Sequence, residues 1–167
     1  MTDTIATSLE GHTADSFVAA PRWLDPTEAE GWRAFIETYA DLITALDNDL
    51  EPTGLTLGDY QVLVYLVEAA GQSMRMCDLA GMLQLSPSGL TRRLDGLVKS
   101  GWVARRNSAT DRRVMLAVLT DAGHDYLADV APHHVRSVRT HMLDHLDRDD
   151  IDALATAFGK LRHALDS

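Results

Sequence analysis

The chain has 167 residues, 46% of them hydrophobic, and a formal charge of −10 at neutral pH. That length suits one domain, or one domain with an extension for self-association, and the apolar share is enough for a real core. Its one cysteine, Cys77, excludes an intrachain disulfide and fits a reducing cytoplasm. No apolar run approaches membrane-spanning length, and the N-terminus lacks the basic start and apolar centre of a secretory signal. Residues 1–24 show no sustained periodicity and are predicted to form a mobile arm, in which Phe17, Val18 and Trp23 are placed to pack on a partner subunit. Asp25-Pro26-Thr27 is a helix-start signal, and the helix predicted from there to about Leu50 carries Ala29, Trp32, Phe35, Ile36, Tyr39, Leu42, Ile43, Leu46 and Leu50 on one broad stripe. Pro52 and Gly54 break the chain. Thr56-Leu57-Gly58-Asp59 then resembles a capping box with Asp in place of Glu, opening a buried helix with Tyr60, Leu63, Val64 and Val67 that ends near Gly71.

The most informative stretch runs from Ser73 to Thr120. Ser73 is expected to cap a helix whose apolar positions are Met76, Leu79, Ala80 and Leu83. After a break at Gln84 and Leu85, Ser86 caps a second helix with Pro87 at its first position; Leu90, Leu94, Leu97 and Val98 point inward, and Gly101 stops it. The opposite face holds Ser88, Arg92, Asp95 and Lys99, with Gly89 and Thr91 on its flanks and Arg93 between that face and the core. Small residues let such a helix approach a major groove, where arginine can make a bidentate contact to guanine. Alone, the helix is equally a solvated face on a helical domain. The sequel is more telling. Trp102–Ala104 and Val114–Leu119 read as two short strands, joined by a polar connection, Arg105 to Arg113, that carries Arg105, Arg106, Arg112 and Arg113. A basic hairpin directly after a recognition helix is the wing of a winged helix-turn-helix, and its tip can lie in a minor groove.

Charge distribution agrees. Arg75 to Arg113 contains eight basic and three acidic residues, a local +5 inside a chain of −10, which is the footprint of a DNA-binding face. Beyond the hairpin, Thr120 is expected to cap a helix from Asp121 to about Leu146, bent by Pro132, and Asp147 and Asp150 open a last helix with Ile151, Leu154, Ala155, Phe158, Leu161 and Leu165 on one seam. One small winged domain cannot cover both terminal stripes. A second copy can, and a symmetric dimer suits a palindromic site.

The segments LSPSGLTRRLDGLVKSGWV and TDRRVMLAVLTDAG resemble the winged-helix core of the MarR family of bacterial transcriptional regulators, most specifically at Asp111-x-Arg113 followed by a strand ending Leu119-Thr120 and then Gly123. The resemblance implies a mainly α fold with a small β-hairpin wing: a winged helix-turn-helix with terminal dimerisation helices. It divides the chain into the arm at 1–24, a dimerisation helix at 25–50, the DNA-binding domain at 51–120 and dimerisation helices at 121–167. It implies that Asp111 organises the wing and that Arg113 enters the minor groove. It also implies an aromatic or phenolic effector held between the dimer and DNA-binding regions, here by Trp32, Phe35, Tyr39 and Tyr60.

Other chemistry is weaker. There is no phosphate-cradling glycine loop, zinc-type cysteine pair or nucleophile elbow, so no catalysis is expected, and no cofactor or metal is assigned. His134, His141 and His145 fall within about 40° of one another on a helical wheel, the last two at metal-ligating spacing, and some members of the family sense zinc. Cys77 is expected to be a packed thiol rather than a redox switch. The residues thus predict a cytoplasmic homodimeric regulator, a repressor released by a small aromatic or apolar molecule. Ser86, Ser88, Gly89, Thr91 and Arg92 would read or approach DNA bases, with Arg113 in the minor groove. Lys99, Arg105, Arg106 and Arg112 would mostly touch phosphates, and Arg93, between the exposed face and the core, could contact either bases or phosphates. The rivals are a metal- or redox-gated version of the same regulator and a winged-helix protein-interaction module that binds no DNA.

Overall fold

The computed structural model describes residues 22–165. The expected arm lies almost wholly outside the described residues, Phe17 and Val18 included. The chain divides into two compact units, Met1–Ile36 and Glu37–Ser167. Helix α1 (Pro26–Leu50) starts in the first, where Asp25 and Glu28 cap reciprocally: Asp25 Oδ1 accepts the Glu28 N–H and Glu28 Oε2 accepts the Asp25 N–H, each at 2.9 Å. Trp32 and Phe35 are neighbours on this part of α1, with ring centroids 6.1 Å apart, and both are exposed.

In the second unit, α1 ends with Leu46 and Leu50 buried, a 3₁₀ turn follows at Glu51–Thr53, and Gly54 takes the left-handed conformation (φ +75°). Helix α2 (Leu57–Glu68) opens on the expected capping box of Thr56 and Asp59, and it buries Leu57, Tyr60, Val62, Leu63 and Leu66. It is the central helix, touching the helices at Pro87–Lys99 and Asp121–His141 and the strands at Ser73–Arg75 and Met115–Leu119. One expectation fails next. Ser73 is not a helix cap but the start of a strand, β1 (Ser73–Arg75), and helix α3 begins only at Met76 and runs to Met82. The turn before it, with Gly71 and Gln72 at positive φ, delivers Ser73 in extended conformation to an edge, where Ser73 pairs with Val118 and Arg75 with Leu116. Cross-strand pairing overrides the local capping preference.

Helix α4 (Pro87–Lys99) follows as expected, with Gly101 in the left-handed conformation (φ +79°) just after its C-cap. Strands β2 (Val103–Asn107) and β3 (Met115–Leu119) form the hairpin, and the sheet has order β1-β3-β2, all antiparallel. Helix α5 (Asp121–His141) is capped by Thr120, whose Oγ1 accepts the Gly123 N–H at 3.0 Å. It stops five residues before the expected Leu146, because Met142 leaves helical geometry and a 3₁₀ turn occupies Leu143–His145. Helix α6 (Arg148–Leu165) is opened by Asp147 and Asp150 and buries none of its residues. No described helix is long and apolar enough to cross a membrane.

The hairpin is locked to α5 at one point of close approach. Thr120 Oγ1 donates to the Gly101 and Trp102 carbonyls, the Trp102 indole stacks on Tyr126 at 4.0 Å, and a Cβ built on Gly123 would sit 2.1 Å from the Trp102 carbonyl oxygen. That oxygen also accepts the Thr120 N–H, so it has no room to retreat. Gly123→Ala is therefore expected to destabilise the protein by about 1–3 kcal/mol, read as a lower urea midpoint.

α5 is joined to α1 and α2 by a polar cluster. Asp49 accepts the Ser137 hydroxyl at 2.5 Å and lies 2.9 Å from His141 Nε2, and these two hydrogen bonds, the Ser137 bond first, hold its carboxyl below the usual value. His134 stacks on Tyr60 at 4.2 Å, its Nδ1 buried with no hydrogen-bond partner among the described residues. Burial first, and the charge of His133 second, hold its imidazole below the usual histidine range. A histidine depressed in the folded state takes up its proton more readily when unfolded, so stability falls as pH drops below about 6.5. Asp49 acts in the same direction at lower pH, its contribution fading as the carboxyl protonates. The urea midpoint is expected to fall between pH 7 and pH 5, and to fall less in His134→Phe, which keeps the ring stack without the titrating nitrogen.

Candidate nucleic-acid interface

Two elements build the surface. α4 is held inward by Leu90, Leu94 and Leu97, all but fully buried, which fixes the opposite face toward solvent. Ser86 serves as its cap: its Oγ accepts the Gly89 N–H at 3.1 Å and lies 3.1 Å from Ser88 Oγ. Ser88, Thr91, Arg92 and Lys99 are exposed, and Gly89 is half-buried against Leu85 and Ser86. Thr91 turns its hydroxyl back to the Pro87 carbonyl (2.9 Å), which leaves its methyl group and an oxygen lone pair for an approaching ligand.

The wing is ordered from within. Asp111 Oδ1 accepts the Arg113 N–H and its carbonyl accepts the Val114 N–H, both at 2.9 Å. Asn107 Nδ2 donates to the Arg112 carbonyl at 2.6 Å, and the Ser108 N–H closes the loop on the Val114 carbonyl at 2.8 Å. With these backbone groups satisfied, Arg106, Arg112 and Arg113 project as exposed side chains.

Two of the expected DNA-facing arginines are engaged inside the protein. Arg105 and Arg106 lie in β2, opposite Ala117 and Leu116, and not at the hairpin's tip. Arg105 reaches across to α4, where Nη2 donates to the Thr91 carbonyl and to Asp95 Oδ1, each at 2.8 Å. Arg93 turns toward α2, donating to Thr56 Oγ1 at 3.0 Å and Asp59 Oδ1 at 3.1 Å. The sequence places Asp95 on the outward face of this helix but assigns no role to it or to Asn107. Asp95 stands one turn after Thr91 on the helix face nearest the wing, a spacing that could have pointed to its partner.

The remaining candidates lie outside α4 and the wing. Trp32, Phe35 and Tyr39 are exposed on α1, whereas Tyr60 is 8% exposed and packed in the core against His134; burial pushes its phenol up. Tyr39, with Ile43, Asp47, Gln61 and Arg93, lines an open cleft that Tyr60 does not reach. The three histidines take separate partners: His134 the Tyr60 ring, His141 Asp49, and His145 the Thr140 carbonyl. The end of α5 at His141 breaks the helical spacing on which their grouping depended. Cys77 is exposed, not packed, and its Sγ lies 3.4 Å from Asp78 Oδ1.

A sequence model of the MarR family matches residues 53–114, from the end of the first 3₁₀ turn to the end of the wing's tip loop. The chain is similar to the transcriptional repressor MprA of Escherichia coli (strain K12), with 34% identity over 100 residues, 60% of this chain and 57% of that protein. It therefore spans less than two thirds of that repressor's length. Among solved structures, it is similar to AbsC, a MarR family transcriptional regulator from Streptomyces coelicolor, at 40% identity and a TM-score of 0.81, covering 87% of this chain and 99% of that one. It is also similar to Sco3205, a MarR family transcriptional regulator from the same organism in complex with DNA, at 32% identity and a TM-score of 0.83, covering 90% and 94%. With the expected winged architecture in place and 40% identity sustained over the whole of a solved relative, the chain belongs to the MarR family.

Proposed function

We propose that the protein is a sequence-specific, DNA-binding transcriptional regulator, a repressor acting in the cytoplasm as a homodimer on a pseudo-palindromic operator. The observation that carries this reading is the joint surface of α4 and the wing. Arg92, Lys99, Arg106, Arg112 and Arg113 are all exposed there, in a chain whose overall charge is −10. Exposed small residues beside Arg92 suit entry into a major groove, and an ordered, arginine-bearing hairpin suits the neighbouring minor groove. A protein-interaction module has no need of that basic surface. The DNA bound by Sco3205 and the repressor function named for MprA support the same reading.

Residues 51–120 are the DNA-binding domain in this proposal, and 25–50 and 121–167 the dimerisation segments. Leu161 and Leu165 are exposed on α6, and Trp32 and Ile36 on α1, faces that a second copy would cover. Release by a small aromatic or apolar molecule is part of the proposal. The cleft lined by Tyr39 and Ile43 is the better candidate than one built around the buried Tyr60. Enrichment of random duplexes on the purified protein at stated salt tests the proposal: a recovered inverted repeat supports it, and recovery of no sequence at low salt overturns it.

A further inference from the structure

The first turn of α2 receives polar connections from two other helices. From α1, Asp47 Oδ1 accepts the Leu57 N–H at 2.6 Å. From α4, Arg93 donates to Thr56 and Asp59. Asp59 divides its oxygens: Oδ2 closes the cap on Thr56 N and Oγ1, at 3.1 and 2.6 Å, while Oδ1 receives Arg93. The seat for the guanidinium exists because residue 58 is glycine, since a Cβ there would lie 2.3–2.8 Å from Nη1, Cζ and Nη2 of Arg93. Side-chain exposures of 29% for Arg93 and 21% for Asp59 set this pair apart from a mobile surface ion pair.

We infer that Arg93 is not a DNA contact but a positioning residue, which docks α4 on the capped turn of α2 and so holds its neighbour Arg92 at the angle that base readout requires. The inference rests on the DNA-binding reading above. A guanidinium seated over a glycine and bonded to a helix cap fixes both the tilt and the rotation of α4, which its apolar stripe alone leaves adjustable. Asp47 steadies the same turn from the α1 side, so the anchor does not yield.

Salt dependence separates this role from a phosphate contact. Arg93→Ala is expected to lower affinity for the wild-type-selected operator about two- to thirtyfold, with the slope of log affinity against log salt unchanged, because no condensed counterion is involved. Gly58→Ala keeps every charge and only evicts the guanidinium, and it is expected to reproduce the same loss at the same slope. In the absence of DNA, both variants should speed amide hydrogen exchange across Pro87–Lys99. The inference is overturned if Arg93→Ala makes the slope shallower by about one unit, as a lost phosphate contact does, while Gly58→Ala binds like wild type. Unchanged exchange in α4 overturns it as well. A wild-type protein that selects no duplex would overturn the DNA-binding reading instead, and the exchange measurement would still decide whether Arg93 anchors the helix.

Discussion

Leu161→Asp is expected to leave the chain folded and to raise the dissociation constant of the homodimer about a thousandfold or more. No residue of α6 is buried within the single chain, and Leu161 is 55% exposed, so a carboxylate there costs the isolated protomer little. In a two-fold interface the substitution appears twice. Withdrawing two leucines from apolar contact forfeits about 2 kcal/mol each, which together is close to a thousandfold in affinity. Desolvating the two carboxylates adds to that. Sedimentation at micromolar concentration reads the association state, and circular dichroism checks that the helices remain. A variant that dimerises like wild type would show that α6 is not the interface.

Arg92→Ala is the second large effect. Arg92 is exposed on the face of α4 opposite Leu90, Leu94 and Leu97. Its loss is expected to cost about 1–3 kcal/mol per half-site and to relax preference at one base position. On a two-half-site operator the cost doubles. Arg106→Ala is the control, because an exposed strand arginine on the wing should act through phosphate: all sequences weaken alike, and the salt slope falls by about one unit. Arg113→Ala should differ from both, hurting most where a narrow, A·T-rich minor groove flanks the half-site. Binding isotherms on two operators at several salt concentrations distinguish the three patterns. Equal, uniform losses would remove the division of labour between base, phosphate and groove-shape contacts.

Much of this arrangement was legible in the amino-acid order because its signals are local. The Ser86-Pro87 start, the Leu90–Leu94–Leu97 stripe, the Gly101 stop and the Thr56–Asp59 cap each depend on residues within a few positions, and each is found in place. Ser73 misled because its environment is set by Val118, which is 45 positions away. Residue type places Tyr60 beside the α1 aromatics but does not show that its ring stacks on His134. The arginines divide on the same ground. Arg92 and Arg113 are outward by local geometry, but the fates of Arg93 and Arg105 depend on carboxylates supplied by other elements, Asp59 at a separation of 34 residues and Asp95 at 10.

The bond from Arg105 to Asp95 and the Thr91 carbonyl makes a ruler of the recognition helix and the wing. Asp111 and Asn107 stiffen the far end of that ruler, so the backbone positions that carry Arg92 and Arg113 are tied together by bonds within the protein. DNA advances about 3.4 Å along its axis with every base pair. In the proposed binding mode, a half-site whose A·T-rich flank is moved outward by a single base pair is expected to bind more weakly, because helix and wing are bonded to one another. In that mode, the spacing between the two reading positions is expected to be selected along with the bases.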